Sequence, residues 1–398
     1  MELDLFMVNF VKILIFISLL IGFSILVYFL GKSAADGYSI ILGARTNYEV
    51  TGQFGDFVGG VIGTFFALAG TFLIYLTFKE QSDENKRTAF EATFFEMIRL
   101  HRENVSELRY KKYSSDNYES YENRQVLRII FQEFIECYRD VKKFSDSKDP
   151  LDYIKPKYLE RINETIKKNN SKVNAIELAR IDIAYCMIFY GVGSEGEIVL
   201  RKLFQKKYND DYYFKLLYYI KLKPKRSNEE RFTNWENARN SNLKQLHELI
   251  EELYPSRSNP KESNNFSQMA SDFKMHIPYE KYYGGHQFRL GHYFRHLYQS
   301  YKYLNESAFL NEDQKYAYGK MYRAQLSTYE QALLFINSIS SIGMKWELMP
   351  ERSDGDKNYS NLITKFNLIK NLPGDHLSGI RYKTYYPSVK YESDEQSL

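Results

Sequence analysis

The sequence predicts an all-α protein in which an N-terminal two-helix transmembrane hairpin precedes a helical cytoplasmic domain. Three observations predict this class: two long uncharged runs lie near the N-terminus, apolar residues elsewhere recur at helical spacing, and alternating strand patterns are scarce. We therefore expect residues 1–78 to form a membrane anchor and residues 79–398 to form the helical domain.

The first predicted span covers about residues 10–30. Its uncharged core, Ile13–Leu30, nearly crosses a hydrocarbon layer of roughly 30 Å at a rise of about 1.5 Å per residue. A cleaved signal peptide is the alternative, but its apolar core would be shorter and its N-terminal region would be basic, whereas this chain begins with MELD. The second uncharged run makes a hairpin anchor the better interpretation.

The second predicted span covers about residues 57–78. Small residues recur every four positions within it, at Gly59, Gly63 and Ala67. Small residues at this spacing let two helices approach closely in lipid, so we expect this face to pack against the first span or against a second copy of the chain. Membrane lipid and a homo-oligomer formed through these residues are the predicted partners.

The distribution of basic residues predicts the side of the membrane. Lys79, Lys86 and Arg87 follow the second span, whereas the segment that connects the two spans contains only Lys32 and Arg45. Because basic residues concentrate on the cytoplasmic side, we expect the helical domain to lie in the cytoplasm.

Composition and short motifs exclude several classes of function. The formal net charge is +4 over 398 residues, so the chain has no strong overall basic field of the kind that nucleic-acid-binding proteins carry. Cys137 and Cys186 lack CxxC spacing, which argues against a disulfide framework or a cysteine zinc site. The phosphate-binding GxxxxGK[ST] loop and the GxSxG nucleophile motif are both missing, and no cofactor is predicted.

The helical domain is predicted to contain three polar loops. Helical spacing of apolar residues over residues 90–105 indicates a helix that continues from the second span, and residues 314–340 are expected to form one long helix. The polar, turn-rich segments between the helices are predicted to be the loops, near residues 113–124, 221–242 and 254–268.

Four separated motifs occur in one order along the chain: GQFGDFVGG, FEATFFEMIRLHRENV, GGHQFRLGHYFRHLYQ and YRAQLSTYEQALLFINSI. In these motifs the sequence resembles the phage abortive-infection family of bacterial AbiC-type proteins, over about residues 52–371. The resemblance implies a bacterial antiphage protein whose action stops or kills the infected cell. It implies no defined catalytic mechanism, and a non-enzymatic effector or sensor that binds a phage component is compatible with it.

The third of these motifs concentrates three of the seven histidines of the chain. At 100° per residue, one face of a helix through this stretch is apolar and is predicted to face the core. Its residues are Leu290, Phe294, Leu297, Tyr301 and Leu304. Arg289, His292 and His296 form a separate stripe on the flank, and these three are the candidate site residues.

Three interpretations of this flank remain open. His292 and His296 have the i, i+4 spacing of zinc ligands, but HYFRH lacks the glutamate of HExxH and places Arg295 between the two ligands. The second interpretation is structural, with the arginine and histidines paired to acidic residues such as Glu96, Glu103 or Glu330.

The third interpretation is RNA cleavage. Arg289, six residues and His296 resemble the R-x(4–6)-H pattern of the HEPN ribonucleases, which are all-α proteins. His296 would act as general acid and base, Arg289 would hold the scissile phosphate, and His292 lies inside the pattern as a further candidate. If the chain is an enzyme, it is therefore expected to be a metal-independent endoribonuclease, and RNA is then a predicted partner.

Overall fold

The computed structural model describes most of the chain, namely residues 2–38, 47–114, 117–168, 171–254, 267–273, 279–348 and 361–395. It is 72% helix and 5% strand, which confirms that the protein is mostly helical. The chain divides into two compact units, Met1–Phe95 and Glu96–Leu398.

The first unit contains two long apolar helices. Its elements are α1 (Glu2–Ala35), α2 (Tyr48–Phe57), a π-helical turn (Val58–Ile62) and the beginning of α3 (Gly63–Ser106). An apolar cluster joins α1 to α3 and consists of Val11, Ile15, Ala69 and Leu76. Helix α3 runs without a break from the apolar segment to Ser106, as the spacing over residues 90–105 predicted.

By length and composition, two helices among the described residues could cross a membrane, Phe6–Ala35 and Tyr48–Ser106. Their most apolar windows have mean hydropathies of 2.8 and 2.0, and only 11% of each window is buried within the protein. Both runs extend beyond the spans expected at residues 10–30 and 57–78.

The small-residue face of the second apolar helix is uncovered. A Cβ added to Gly59 would meet no atom within 4 Å, and one added to Gly63 would meet only the Val58 carbonyl oxygen, at 3.6 Å. Ala67 is exposed.

The second unit begins within α3 and contains one hairpin and thirteen further helices among its described residues. The strands are β1 (Arg109–Ser114) and β2 (Asn117–Glu122). The helices are α4 (Arg124–Lys143), α5 (Pro156–Lys168), α6 (Ala175–Tyr190), α7 (Ser194–Phe204), α8 (Asp210–Leu222), α9 (Glu229–Asn240), α10 (Leu243–Leu253), α11 (Gln268–Phe273), α12 (Gln287–Glu306), α13 (Glu312–Arg323), α14 (Thr328–Ile339), α15 (Leu362–Lys365) and α16 (Glu392–Glu395).

Helices α4, α6 and α14 pack together at the centre of this unit. Helix α6 is apolar on nearly all sides, and nearly all of its side chains are buried, as expected for a helix surrounded by others. Helix α12 packs against α6, α13 and α15 through the predicted apolar face. All five residues of that face are buried, which confirms the helical assignment: Leu290, Phe294, Leu297, Tyr301 and Leu304.

The segment 113–124 was predicted to be a loop, and this prediction is wrong. It contains the end of β1, the whole of β2 and the first residue of α4, and β1 pairs with β2 antiparallel, with Arg109 opposite Glu122. Tyrosine favours strands, and the rings of Tyr113 and Tyr118 meet across the hairpin with centroids 5.2 Å apart. The polar composition of the segment conceals this pairing.

The segment 221–242 was also predicted to be a loop, but most of it is α9. Asn228 begins this helix with a side chain that accepts a hydrogen bond from the Arg231 N–H group, and Trp235 and Ala238 are buried. A helix that buries so few side chains gives a weak periodic signal. Of the third expected loop, 254–268, residues 255–266 lie outside the described residues.

The predicted single helix at residues 314–340 is two helices, α13 and α14. Ser327 ends the connection with a capping box, because its hydroxyl accepts from the Glu330 N–H group while the Glu330 carboxylate accepts from the Ser327 N–H group. The sequence Ser-Thr-Tyr-Glu, residues 327–330, is typical of a capping box and so indicates a helix start. The apolar periodicity continues through these residues and therefore suggested a single helix.

Candidate functional site

The chain crosses itself closely where α6 ends and α12 begins. Gly191 has a φ of +78° and Gly285 a φ of +90°, in the left-handed region that favours glycine. A Cβ on Gly191 would lie 2.7 Å from the carbonyl carbon of Gly284, and a Cβ on Gly285 would lie 2.7 Å from the Tyr190 carbonyl oxygen. The glycines therefore permit the crossing that positions His286 at the start of α12.

His286 connects this crossing to the core. Its backbone N–H group donates to the carbonyl oxygens of Ile188 at 3.1 Å and Phe189 at 2.9 Å, which satisfies acceptors at the C-terminal end of α6. Its side chain is buried, with Nε2 at 2.8 Å from Oε2 of Glu133 on α4. The histidine thus links the ends of α6 and α12 to the middle of α4.

The hydrogen bonds of His286 define its tautomer. An arginine can only donate, so Nδ1 of His286 accepts from the guanidinium of Arg289, whose NH1 lies 3.2 Å away. Nε2 therefore carries a proton, which it donates to Glu133. The imidazole therefore bridges the Arg289 guanidinium and the buried Glu133 carboxylate by two hydrogen bonds.

Glu133 is ionised although it is almost completely buried. Its Oε1 accepts from the Tyr110 hydroxyl at 2.8 Å and lies 3.1 Å from Nζ of Lys112. Burial raises the pKa of Glu133. The hydrogen bond from His286, the positive charge that this ring carries when protonated, the charge of Lys112 and the hydrogen bond from Tyr110 together outweigh burial and lower this pKa to about 2. Burial, together with the negative charge of Glu133, raises the pKa of Tyr110, which keeps the phenol protonated as a donor.

Arg289 is held by neutral groups. Its Nε donates to the Arg109 carbonyl oxygen at 2.9 Å, and its guanidinium lies over the rings of Tyr110 at 4.7 Å and Phe288 at 4.1 Å. Burial lowers the pKa of Arg289, and nearby negative charge opposes this effect only in part. Among the described residues no carboxylate lies within ion-pair distance of this guanidinium, so its charge is not neutralised locally.

An open cleft of about 650 Å³ lies in front of Arg289. The hairpin, the start of α12 and the Gly284–Gly285 turn form its walls. Six basic residues line it against two acidic ones, with four tyrosines and one phenylalanine: Arg109, Lys111, Lys112, Lys225, Arg226 and Arg289; Glu122 and Glu133; Tyr110, Tyr113, Tyr118, Tyr282 and Phe288. We refer to it as the basic cleft.

His292 lies outside the basic cleft. It is exposed and lines a second cleft of about 600 Å³, together with Arg295, Lys345 and Trp346. His292 and His296 have the spacing of zinc ligands, but a metal site needs further ligands beside them. In the described part of the chain, no group of three or more His, Cys, Asp or Glu side chains could hold a metal ion.

His296 lies in neither cleft. Its Nε2 donates to the Met97 carbonyl oxygen at 2.9 Å, and burial lowers the pKa of the half-buried ring. The structure therefore gives Arg289 and His296 separate hydrogen-bond partners, and Arg289 is brought together with His286.

The acidic partners expected for the α12 flank pair elsewhere. Glu96 and Glu103 form ion pairs with Arg99 along α3. Glu330 is buried and accepts from the Tyr293 hydroxyl at 3.1 Å, and its Oε1 lies 3.4 Å from Nε2 of the buried His101. The structural pairing of the flank with these three acids is therefore wrong.

The sequence did not predict the pairing of His286 with Glu133. It also did not predict that the hairpin residues Tyr110 and Lys112 contact this carboxylate. One signal was available, because Glu133 is the charged member of an otherwise apolar helical face in IIFQEFIEC, where Ile130, Phe134 and Cys137 are buried. A carboxylate on such a face requires partners, although the sequence does not say which residues provide them.

Residues 285–377 match the model of a protein family described as "Putative phage abortive infection protein". This is the family that the sequence motifs resemble. The match confirms the resemblance over this segment, which begins at the Gly285 turn and includes α12, α13 and α14. No curated protein and no solved structure gives a significant match to the chain.

The matched segment, residues 285–377, contains Arg289, His292 and His296, together with His286. Glu133 and the hairpin lie outside it. The basic cleft is thus formed jointly by the matched segment and by residues that precede it in the chain.

Proposed function

We propose that this chain is a membrane-anchored bacterial protein that defends against phage by abortive infection, acting as a non-enzymatic effector or sensor. The observation that carries the proposal is the family match over residues 285–377. This segment contributes the buried helices α12 and α14 to the second unit, so it is part of the folded core and not an appended motif.

The exposure of the apolar helices supports a membrane anchor formed by residues 1–78. Large apolar side chains along both helices are exposed, among them Phe16, Phe23, Ile74 and Phe78. A continuous apolar surface of this kind is stable against lipid and unfavourable in water. The two helices, joined by the cluster around Val11, would form the proposed transmembrane hairpin in the inner membrane.

The basic residues Lys79, Lys86 and Arg87 support a cytoplasmic position for the helical unit, because they follow the second span. In the cytoplasm this unit would be exposed to phage components during infection. Recognition of such a component is the proposed trigger.

The uncovered face at Gly59, Gly63 and Ala67 supports assembly of the spans through a second copy of the chain. Small residues allow close helix packing in lipid, where van der Waals contact between helices is the main attraction. In the proposed mechanism, triggered assembly of these spans depolarises the membrane and stops the infected cell.

A membrane-tethered ribonuclease is the alternative function, and the uncompensated charge of Arg289 at an open cleft supports it. Arg289 would hold the scissile phosphate by charge-assisted hydrogen bonds, and His296 would be the general acid and base. Burial lowers the pKa of His296, which favours the neutral imidazole that a general base requires. His292 lies between them as a further candidate.

Infection of bacteria that express the full chain separates the two functions. The variants are His296→Ala and His376→Ala, the second being an exposed histidine of the same matched segment that serves as the control. Phage yield, RNA integrity and membrane potential are measured after infection with a panel of phages. We expect both variants and the natural chain to lower phage yield, with intact RNA and a collapsed potential.

Loss of protection by His296→Ala alone, with normal expression and membrane insertion and with RNA cleaved by the natural chain, would establish the ribonuclease instead. An unchanged phage yield with the natural chain would reject the abortive-infection proposal itself.

A further inference from the structure

Among the residues that the structure describes, basic side chains outnumber acidic ones in the basic cleft. Three of its six basic residues have carboxylate partners, since Arg109 pairs with Glu122, Lys112 with Glu133, and Lys225 with Glu280. Among the described residues the other three have no ion-pair partner, namely Lys111, Arg226 and Arg289. Uncompensated cations at one concave surface favour an anionic ligand.

Arg289 is positioned in advance for such a ligand. Its Nε and NH1 are occupied by the Arg109 carbonyl oxygen and by His286, while NH2 has no partner among the described residues. The flanking rings of Tyr110 and Phe288 restrict the guanidinium further. A guanidinium that is already ordered loses little conformational entropy when it binds a phosphate.

The cleft also offers aromatic surface to a planar group. Phe288 is 73% exposed beside Arg289, and Tyr118 is 59% exposed on the hairpin. An exposed phenylalanine beside an arginine can stack on the base of a nucleotide whose phosphate binds the arginine.

The size of the site favours a small ligand over a polymer. A volume of about 650 Å³ is within the usual range for small-molecule and cofactor sites. A long single strand would need an extended positive surface, whereas the whole chain carries a formal net charge of only +4.

We propose that the basic cleft binds a nucleoside phosphate, with its phosphates held by Arg289, Lys111 and Arg226 and its base stacked on Phe288. The site goes beyond the proposed function, which assigns no small-molecule ligand to the chain. A nucleotide bound in this cleft would contact Phe288 and Arg289, which belong to the segment that matches the family model.

Equilibrium dialysis with the full chain in detergent micelles tests this site. The probes are radiolabelled ATP, GTP, CTP and UTP, with tripolyphosphate, adenosine and a twelve-nucleotide single-stranded RNA as competitors. We expect saturable binding of at least one nucleotide, weaker competition by tripolyphosphate, and the weakest competition by adenosine.

Variants locate the binding. Arg289→Met, and separately the pair Lys111→Gln and Arg226→Gln, should weaken nucleotide binding by roughly tenfold or more, because each removes charge-assisted contacts to phosphate. The exposed pair reports on the site even if Arg289→Met fails to fold. Phe288→Ala should weaken nucleotide binding more than tripolyphosphate binding, because it removes the stacking surface for the base as well as one of the two rings that restrict Arg289.

Arg295→Met is the matched control, because Arg295 is an exposed arginine of the same helix that lines the second cleft. Equal weakening by Arg295→Met, no saturable binding of any of the four nucleotides, or binding of the RNA alone would each overturn the proposal. These outcomes are independent of phage protection, so the site and the proposed function fail separately.

Discussion

Glu133 is a buried carboxylate whose charge depends on three donors from two elements: His286 at the start of α12, and Tyr110 and Lys112 on β1. Such a group stabilises the fold only while every partner is present, because an unpaired charge in the core is costly. The arrangement therefore ties the hairpin and α12 to α4.

Replacing Glu133 with glutamine should destabilise the full chain by roughly 3 kcal/mol, the usual effect of removing one member of a buried charged network. Urea unfolding in detergent, followed by circular dichroism, measures the change. The control is Glu96→Gln on the surface of α3, where the ion pair with Arg99 is exposed and no measurable change is expected. Equal destabilisation by the two variants would show that the network is unimportant.

The same carboxylate predicts a pH dependence. Its pKa is lowered from 4.5 to about 2 in the folded chain, so its contribution is fully present above about pH 4.5 and is lost as the pH falls toward 2. The difference in unfolding free energy between the natural chain and Glu133→Gln should therefore narrow over this window. A difference that stays constant from pH 6 to pH 3 would contradict the assignment.

At the scale of elements, the crossing of α6 and α12 requires glycine at positions 191 and 285, whereas position 284 has room for a side chain. Gly191 and Gly285 have positive φ and no room for a Cβ, whereas a Cβ on Gly284 would meet nothing within 4 Å. The backbone there also provides the acceptors for the His286 N–H group. The crossing thus sets where α12 begins and where Arg289 lies.

Gly285→Ala should therefore destabilise the chain by more than about 2 kcal/mol, through backbone strain and the clash with the Tyr190 carbonyl group. Gly284→Ala should leave the melting temperature nearly unchanged. Thermal unfolding of the two purified variants measures both effects, and a tolerated Gly285→Ala would mean that the crossing is not required.

The elements that sequence reasoning found are those with strong periodic signals. The apolar face of α12 and the continuation of α3 to Ser106 were predictable, because many buried residues share one stripe. The hairpin and α9 were missed since each buries few side chains. The break at Ser327 was missed although a capping box marks it.

The candidate site was only half predictable. Arg289 was identified from its spacing to His296, but the contacts that define its environment come from Arg109 and Tyr110, which are far away in the sequence. Pairings between distant segments leave no local pattern. His286 and Glu133 are 153 residues apart in the sequence, so no local pattern indicates that their side chains are hydrogen-bonded.

At the scale of the whole molecule, the proposed depolarisation of the membrane requires the chain to reside in the membrane through residues 1–78. The natural chain should remain in the membrane fraction after an alkaline carbonate wash. Leu20→Lys, which places a charge in the middle of α1, should reduce the inserted fraction, since a central lysine disfavours insertion by about 3 kcal/mol. Leu20→Ala is the matched control and should insert normally; release of the natural chain by the wash would contradict the anchor.

The most direct test of the central claim is phage yield measured together with cell survival, in bacteria infected at high multiplicity. Abortive infection predicts that cells expressing the chain release far fewer phage than control cells and nevertheless die. At low multiplicity the culture should survive. Infected cells that both survive and suppress phage would indicate another kind of defence, and a phage yield equal to that of control cells across the panel would contradict the account.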